Sequence, residues 1–364
     1  LLDTLPAWPW DPLDKAAPRT LGYHAWAWAE GFLGQFHRDD FVGLIQPNGP
    51  RAGQRFQLTP RQRRYLLWWY ALDADGGWVF QHGARRLAKG SGKSPFAAVF
   101  TLAEFCAPVR LERFDDRVPG GARGRPVSMP LVQIAATAES QTANTMRMVR
   151  AFAPKKSPIA EHYQLDPGKT QYYRQPEGTL EIITSSVTAS EGAEASAIVG
   201  DETEHWKPSH SGPEFAATLI DNLTKSGNRM WETANAWVPG QESVAEDTWD
   251  AWVAQEEGRV RDDGLRILYD AVMAPPDTDL ADADSLRAAL EFVYSDCWWQ
   301  DLQPIIGRIW SPKAKVSESK RKYLNWPSAA EDAWIIPEQF AALARPDIVI
   351  APTDEVVLRR FQEP

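Results

Sequence analysis

The stretch A-R-R-L-A-K-G-S-G-K-S-P-F-A-A-V-F, Ala84 to Phe100, sets Gly90, Ser91, Gly92, Lys93 and Ser94 between a strand-like segment and a helix-like one. A phosphate cradle needs backbone N–H groups that point inward at a helix N-terminus. Gly90 and Gly92 permit the dihedrals and the close approach of a phosphate that this requires. Lys93 would reach the β- and γ-phosphates, and the Ser94 hydroxyl would bind Mg²⁺. The usual pattern is G-x-x-x-x-G-K-[ST], and Leu87 stands at its first glycine. A basic Gly-Ser surface turn is the alternative; the strand before and the helix after favour the cradle.

Three further groups suit the same chemistry. In A-I-V-G-D-E, Ala197 to Glu202, a strand delivers Asp201 at its C-terminal end, where a carboxylate would lie near Mg²⁺. Glu202 would take a proton from the attacking water or orient it. Alone, two adjacent acids equally well form a turn. Gln62, in L-T-P-R-Q, has an amide that donates and accepts, which suits the edge of adenine; a solvated helix residue is the alternative. Thr233 and Asn235, in E-T-A-N-A-W, end the strand after the acidic one, beside a γ-phosphate whose loss they would sense, or they only turn the chain. His205 and His210 have no cysteine or further histidine to complete a metal site and read as structural or surface residues.

The elements that must position these groups follow from the local patterns. Thr59 is placed to cap a helix whose first residue is Pro60. Asp75-Gly76-Gly77 turns the chain into a strand ending near Arg86, and Pro95 falls in the first turn of the next helix, where a missing N–H costs little. Arg110 to Pro126 reads as a polar surface loop. Strands are predicted over Pro130–Ala138, Thr179–Ser186, Ala195–Trp206 and Asn228–Trp237, with a helix after the first and a small-residue turn at Gly192. Such alternation argues for an α/β fold with a mainly parallel sheet flanked by helices. We expect an N-terminal arm and short helix over 1–55, the core over 56–255, a smaller, mostly helical segment over 256–345 and a linker over 346–364. In the helical segment D-A-D-S-L-R-A-A-L-E-F-V-Y-S-D-C-W-W has the clearest helical spacing.

Bulk properties narrow the partners. The chain has 364 residues, a formal charge of -10 and 43% hydrophobic residues. That charge opposes a surface that coats nucleic acid nonspecifically, but leaves room for a local basic groove. The clusters R-Q-R-R (Arg61 to Arg64) and K-A-K-V-S-E-S-K-R-K (Lys313 to Lys322) read as solvated helix faces. Cys106 and Cys297 fit reduced core residues of an intracellular protein. No run of 18 apolar residues exists, so no membrane span is expected. The first residue is Leu1 rather than Met, so the start of the gene product is expected to be missing or processed. The 17 tryptophans carry no chemistry that the sequence identifies.

With these parts in this order, residues 50 to 345 resemble the large terminase subunit of tailed double-stranded DNA bacteriophages. The adenine-side glutamine of that family matches Gln62, its deviant phosphate loop matches A-K-G-S-G-K-S, and its acidic motif matches A-S-A-I-V-G-D-E-T-E-H-W. Its coupling motif fits E-T-A-N-A-W loosely, and K-R-K-Y-L-N-W-P-S-A-A-E-D-A-W-I (Lys320 to Ile335) resembles the R-x-x-x-N run that closes its lid. The family usually carries an arginine where Lys89 stands; a lysine keeps the charge but loses the planar fork, for which Arg85 or Arg86 would have to substitute.

The resemblance implies a phosphate-loop NTPase of the ASCE type with a helical lid. It implies ATP and Mg²⁺ as cofactors and Glu202, Lys93 and Lys89 as catalytic residues. ATP would be bound by Gln62, Lys89, Gly90, Ser91, Gly92, Lys93, Ser94, Thr233 and Asn235, with Ser94 and Asp201 on the metal. The implied activity is ATP hydrolysis coupled to moving double-stranded DNA through a portal protein into a procapsid. The small terminase subunit would be a partner, the active form a ring, by resemblance a pentamer, and the place the host cytoplasm, transiently docked on the procapsid. A neighbouring subunit would supply an arginine; none lies between Arg174 and Asp201, which leaves Arg147, Arg150 and Arg229 as candidates. The family's nuclease domain would begin where this chain stops, so no nuclease activity is expected of it; Asp354 and Glu355 are too few for such a site. Rival readings are another phosphate-loop ATPase, helicase-like or a small-molecule kinase, and a nucleotide-binding assembly protein that moves no DNA.

Overall fold

A computed structural model describes residues 2–8, 18–185, 194–261 and 266–329. The expected linker over 346–364, the turn at Gly192 and the last part of the lid lie outside them. Twelve strands and ten helices are numbered here in chain order among these residues. The first part holds β1 (Arg19–Thr20), α1 (Gly22–Glu30), α2 (Pro60–Trp69), β2 (Ala71–Leu72), β3 (His82–Arg86) and α3 (Lys93–Cys106). Next come β4 (Arg110–Phe114), β5 (Ala122–Arg125), β6 (Leu131–Ala136), α4 (Glu139–Phe152), α5 (Pro158–His162), β7 (Leu165–Pro167), β8 (Gln171–Arg174) and β9 (Gly178–Thr184). The remainder is β10 (Ala197–Gly200), α6 (Gly212–Ser226), β11 (Arg229–Ala234), α7 (Val244–Glu256), β12 (Ile267–Ala271), α8 (Ala283–Val293), α9 (Gln303–Ile309) and α10 (Val316–Tyr323).

Eight strands form one sheet in the order β12-β3-β11-β10-β6-β9-β8-β7. The pairs from β12 to β9 are parallel; β8 and β7 extend the sheet antiparallel. Parallel strands buried on both faces read as continuous apolar runs, as L-V-Q-I-A-A of β6 and A-I-V-G of β10 do. The strand between β3 and β10 is β11, so all three end on one side of the sheet, side by side. No helix among the described residues is long and apolar enough to cross a membrane.

Two sequence expectations change. The segment read as a polar loop contains the hairpin β4–β5, whose turn is held by Asp115 accepting from Arg117 and Arg123. Spacing alone hid it because β4 is half exposed without alternation and β5 is a short A-R-G-R segment whose inward residues are only Ala122 and Gly124. The core also runs past the expected boundary at 256: β12 pairs with β3, and the helical lid starts after it. Residues Leu2 to Thr4 then pair with the outer side of the C-terminal end of β12, with Thr4 N–H donating to Ala271 O and Met273 N–H to Leu2 O.

Under the sheet, α2 is fixed by a reciprocal cap. Gln62 N–H donates to Thr59 Oγ1 at 3.2 Å, and Thr59 N–H donates to Gln62 Oε1 at 3.0 Å. Beside this cap, fully buried Asp270 on β12 accepts from Arg61 Nε and Arg85 Nε, each at 2.6 Å. Burial alone would raise the Asp270 carboxyl; the two guanidiniums outweigh it and hold the pKa below its ordinary value. This contribution to stability is present above the unfolded carboxylate pKa and is lost as pH falls through the lower folded value.

Asp270→Asn leaves two buried guanidiniums short of their charge partner, and at neutral pH should cost roughly 3–5 kcal/mol in urea unfolding. A loss under about 1 kcal/mol would show that the triad is not a main support of this end of the sheet.

Candidate functional site

The loop from Leu87 to Gly92 joins the end of β3 to the N-terminus of α3. Gly92 caps α3 in the left-handed conformation, φ 79°, and Gly90 has φ 90°. Side chains would be strained at both, and lacking in space: a Cβ on Gly92 would lie 2.8 Å from the Trp299 ring, and one on Gly90 2.7 Å from Gln300 Oε1. The lid therefore rests directly on the loop, and Trp299 Nε1 donates to Gly90 O at 3.0 Å. The lid also holds the loop's ends: Lys89 N–H donates to Lys322 O at 2.7 Å, and Tyr294 Oη donates to Lys89 O at 2.7 Å. Ala88 is part of the lid's own apolar core with Leu290, Ile306 and Leu324. The asparagine that ends the R-x-x-x-N run, Asn325, is buried with φ 58° and donates to Arg86 O and Val272 O.

A cavity of about 680 Å³ opens over this loop. Its floor is Lys89, Gly90, Gly92, Lys93 and Ser94; Glu202, His205 and Asn235 form one wall. Gln62, with Phe56, Gln57 and the segment from Gln46 to Arg51, forms another, and Trp298, Trp299 and Lys322 close it from the lid. The volume lies within the usual range of ligand sites, about 300–1,000 Å³. Ser91, Asp201 and Thr233 lie beneath it, all buried. The Ser91 hydroxyl turns back to Ala88 O at 2.7 Å.

Two side chains at the end of β11 reach the acidic residues, and one of them also reaches the floor. Thr233 Oγ1 donates to Asp201 Oδ1 at 2.9 Å and accepts from Glu202 N–H at 3.2 Å. Asn235 accepts from Lys93 Nζ at 2.8 Å and donates to Glu204 Oε1 at 2.6 Å. Lys93 Nζ also donates to Leu87 O and Ala88 O, at 2.7 and 3.1 Å. Glu202 holds a left-handed conformation, φ 55°, uncommon for its residue type. Trp206 fixes the backbone there, its Nε1 donating to Asp201 O at 3.1 Å.

Burial governs the charges. It pushes Asp201 up to about 6, and raises Glu202, which also feels Glu204. It pulls Lys93 down to about 8 against the opposing pull of Glu204, Glu202 and Asp201. One Asp201 oxygen, Oδ2, is buried and makes no well-formed hydrogen bond among the described residues, although the Thr145 hydroxyl, itself buried and unpaired, lies close enough to lower the pKa of the carboxyl. A buried carboxylate oxygen left open in this way is what a cation ligand requires.

Several sequence candidates prove to be elsewhere. Arg85 and Arg86 cannot take over from Lys89: Arg85 pairs with Asp270, and Arg86 is fully buried against Trp237 and Trp249. Arg229 is no trans-acting residue, because it is buried between the rings of Trp69 and Trp78. The R-Q-R-R cluster is not a solvated face either, since Arg61 is bound by Asp270 and Asp3 and Arg63 by Glu30. Gln62 is buried with its Oε1 committed to the cap, which leaves Nε2 to donate to a ligand. His205 is exposed, as expected of a surface residue, and it also borders the cavity. Glu204, Arg51, Lys322, Trp298 and Trp299 were missed. A second glutamate two residues after the D-E pair was the only local signal for any of them.

A phosphate-bearing ligand needs the Lys93 ammonium, so its binding should take up protons near pH 8. With ADP as probe, affinity should fall by up to about tenfold from pH 8 to pH 9. Calorimetry in two buffers of different ionisation heat reads the proton uptake. A flat affinity from pH 7 to 9.5 counts against Lys93 as the phosphate contact.

No protein-family model matches the chain. It is 34% identical over 313 residues to the Gene 13 protein of Mycobacterium phage D29, covering 80% of this chain and 52% of that protein. The Gene 13 protein of Mycobacterium phage L5 is 34% identical over 305 residues, which cover 78% of this chain and 50% of that one. The chain thus spans about half the length of these two relatives. Among solved structures, the HK97 bacteriophage large terminase superposes with a TM-score of 0.60 at 15% identity, over 85% of this chain and 55% of that one. At that identity the likeness is one of fold. The chain is a relative of these two mycobacteriophage Gene 13 proteins and shares the fold of the HK97 bacteriophage large terminase.

Proposed function

We propose that this chain is the ATPase motor of a terminase large subunit, which uses ATP hydrolysis to move double-stranded DNA through a portal into a procapsid. The observation that carries this reading is the single cavity that gathers Gly90, Gly92, Lys93, Ser94, Glu202 and Asn235 from three adjacent strand ends. ATP would lie with its phosphates at the N-terminus of α3, where loop N–H groups and the helix dipole favour negative charge. Lys93 and Lys89 would take phosphate oxygens, and Gln62 Nε2 would donate to the base.

Ser94 and Asp201 would hold Mg²⁺, and the open Asp201 Oδ2 fits that role. The ion would supply neutralising charge to the β- and γ-phosphate oxygens. Glu202, on the cavity wall with a raised pKa, would orient a water towards the γ-phosphorus and receive its proton as the new P–O bond forms. The bond to the β,γ-bridging oxygen breaks and ADP leaves. Asn235 connects Lys93 on the floor to Glu204, and Thr233 ties the end of the same strand to Asp201 and Glu202, so this strand end is placed to register the loss of the γ-phosphate. Arg51 is the guanidinium that lines the cavity among the described residues, and it is stacked on Trp298.

The same reading carries the partners: double-stranded DNA, a portal protein, a small terminase subunit and further copies of this chain in a ring. It places the working protein in the host cytoplasm, docked on the procapsid during packaging. Of the candidates for a trans-acting arginine, Arg147 is exposed on α4 and fits best.

Glu202→Gln should bind ATP as tightly as the parent and hydrolyse it roughly 10²–10⁴-fold more slowly. Lys93→Ala should lose about 1.5–3 kcal/mol of nucleotide binding as well as turnover. Both are read from equilibrium binding and phosphate release, with and without double-stranded DNA. Normal turnover in Glu202→Gln removes that residue from the mechanism. Turnover indifferent to DNA and portal points instead to an ATPase that moves no DNA.

A further inference from the structure

The Lys93 ammonium has three N–H donors, and in this structure each has an acceptor: Leu87 O, Ala88 O and Asn235 Oδ1. A phosphate oxygen can bond this nitrogen only by displacing one of them. The two carbonyls belong to the loop's own backbone, within six residues of Lys93. Asn235 is a side chain at the end of a different strand, and it is the acceptor most free to withdraw.

What keeps Asn235 in place is Glu204. Lysine only donates, so the amide must turn Oδ1 towards Lys93, and its Nδ2 then needs an acceptor. Glu204 Oε1 supplies one at 2.6 Å. Glu204 is buried in the short turn after β10, and Thr203 beside it anchors to Thr233 O, so the carboxylate is held by the elements that carry Asp201 and Thr233. It is not among the groups that line the cavity, which separates it from Glu202. Its second oxygen, Oε2, is buried without a hydrogen-bond partner among the described residues, so stability alone gives a poor reason for a carboxylate there.

We propose that Glu204 is a positioning residue that locks Asn235 as the resting acceptor for Lys93, so that a nucleotide phosphate must displace Asn235 to bind. Nucleotide binding then breaks a contact between the loop and β11, and loss of the phosphate restores it. This inference rests on the reading of the loop as a phosphate site. Its signature is a sign: a competitor for Lys93 weakens nucleotide binding, so removing the competitor strengthens it, whereas damage to a purely structural contact weakens it.

The experiment measures the dissociation constant of a non-hydrolysable ATP analogue with Mg²⁺ for the full chain and three variants. Glu204→Met keeps the length but removes the acceptor, Glu204→Gln removes the charge but keeps an acceptor, and Asn235→Ala removes the resting acceptor with Glu204 intact. Glu204→Met and Asn235→Ala should each bind about two- to tenfold more tightly than the parent, the scale of one net hydrogen bond. Glu204→Gln should bring affinity back towards that of the parent. Equal tightening in Glu204→Gln and Glu204→Met would assign the effect to charge and overturn the proposal, as would weaker or unchanged binding in Asn235→Ala. If Glu204→Met does not fold, the comparison of Glu204→Gln with Asn235→Ala decides. A parent chain that does not bind the analogue sinks the phosphate reading itself; a parent that binds, with no tightening in the variants, sinks only this inference.

Discussion

One buried carboxylate, Asp270, joins the parts of this molecule that must stay in register. It holds Arg61 at the start of α2 and Arg85 near the end of β3, and both contacts are shielded from water. The first fixes the helix that carries Gln62, the second the strand that leads into the phosphate loop. Burying three charged groups is costly unless each is paired and hydrogen-bonded, so the geometry tolerates little slack. The lid joins at the same corner: Asp296 accepts from Thr59 Oγ1 and from Arg61 N–H, at the first turn of α2. The cavity wall that carries Gln62, the loop and the lid thus meet on one electrostatic joint.

The excess of tryptophan has a physical role that follows from such buried cations. Arg229 lies 3.7 Å from the centre of the Trp78 ring and 4.0 Å from that of Trp69. Arg86 lies 4.4 Å from Trp249 and 4.8 Å from Trp237. An aromatic face offers negative potential without needing a hydrogen-bond donor or acceptor of its own, and a planar guanidinium is weakly hydrated. Several guanidinium nitrogens in these two boxes have no hydrogen-bond partner among the described residues, so the rings carry part of the compensation. Burial still lowers the pKa of both arginines, that of Arg229 to about 9. At the cavity mouth Trp298 and Arg51 repeat the contact at 3.8 Å, there with the ring exposed.

The lid and the loop share one packing unit. Ala88 belongs to the lid core, Trp299 covers Gly92, and Lys89 is bound through both its N–H and its C=O by lid residues. A loop so held cannot change shape without moving α10 and the Trp298–Trp299 pair. On its other side the same loop reaches β11 through Lys93 and Asn235. The cavity floor is therefore mechanically continuous with both the lid and the sheet.

Much of this was legible in the sequence because it is local. The cap at Thr59-Pro60, the strand–loop–helix around G-S-G-K-S and the apolar run ending at Asp201 each depend on neighbours a few residues away, where backbone sterics and the periodicity of apolar residues set the conformation. Thr233 and Asn235 were found for the same reason, as polar residues closing an apolar strand. What only the tertiary structure decided is long-range pairing. Whether Arg85, Arg86 and Arg229 face a ligand or a core depends on Asp270, Trp237 and Trp69, which are 185, 151 and 160 residues away in the chain. Arginine carries the same charge in both settings, so residue type could not tell them apart. Likewise, no pattern in the chain announces that Trp299 rests on Gly92 or that Glu204 orients Asn235: those contacts exist because the sheet sets β10 beside β11 and the lid folds back over the loop.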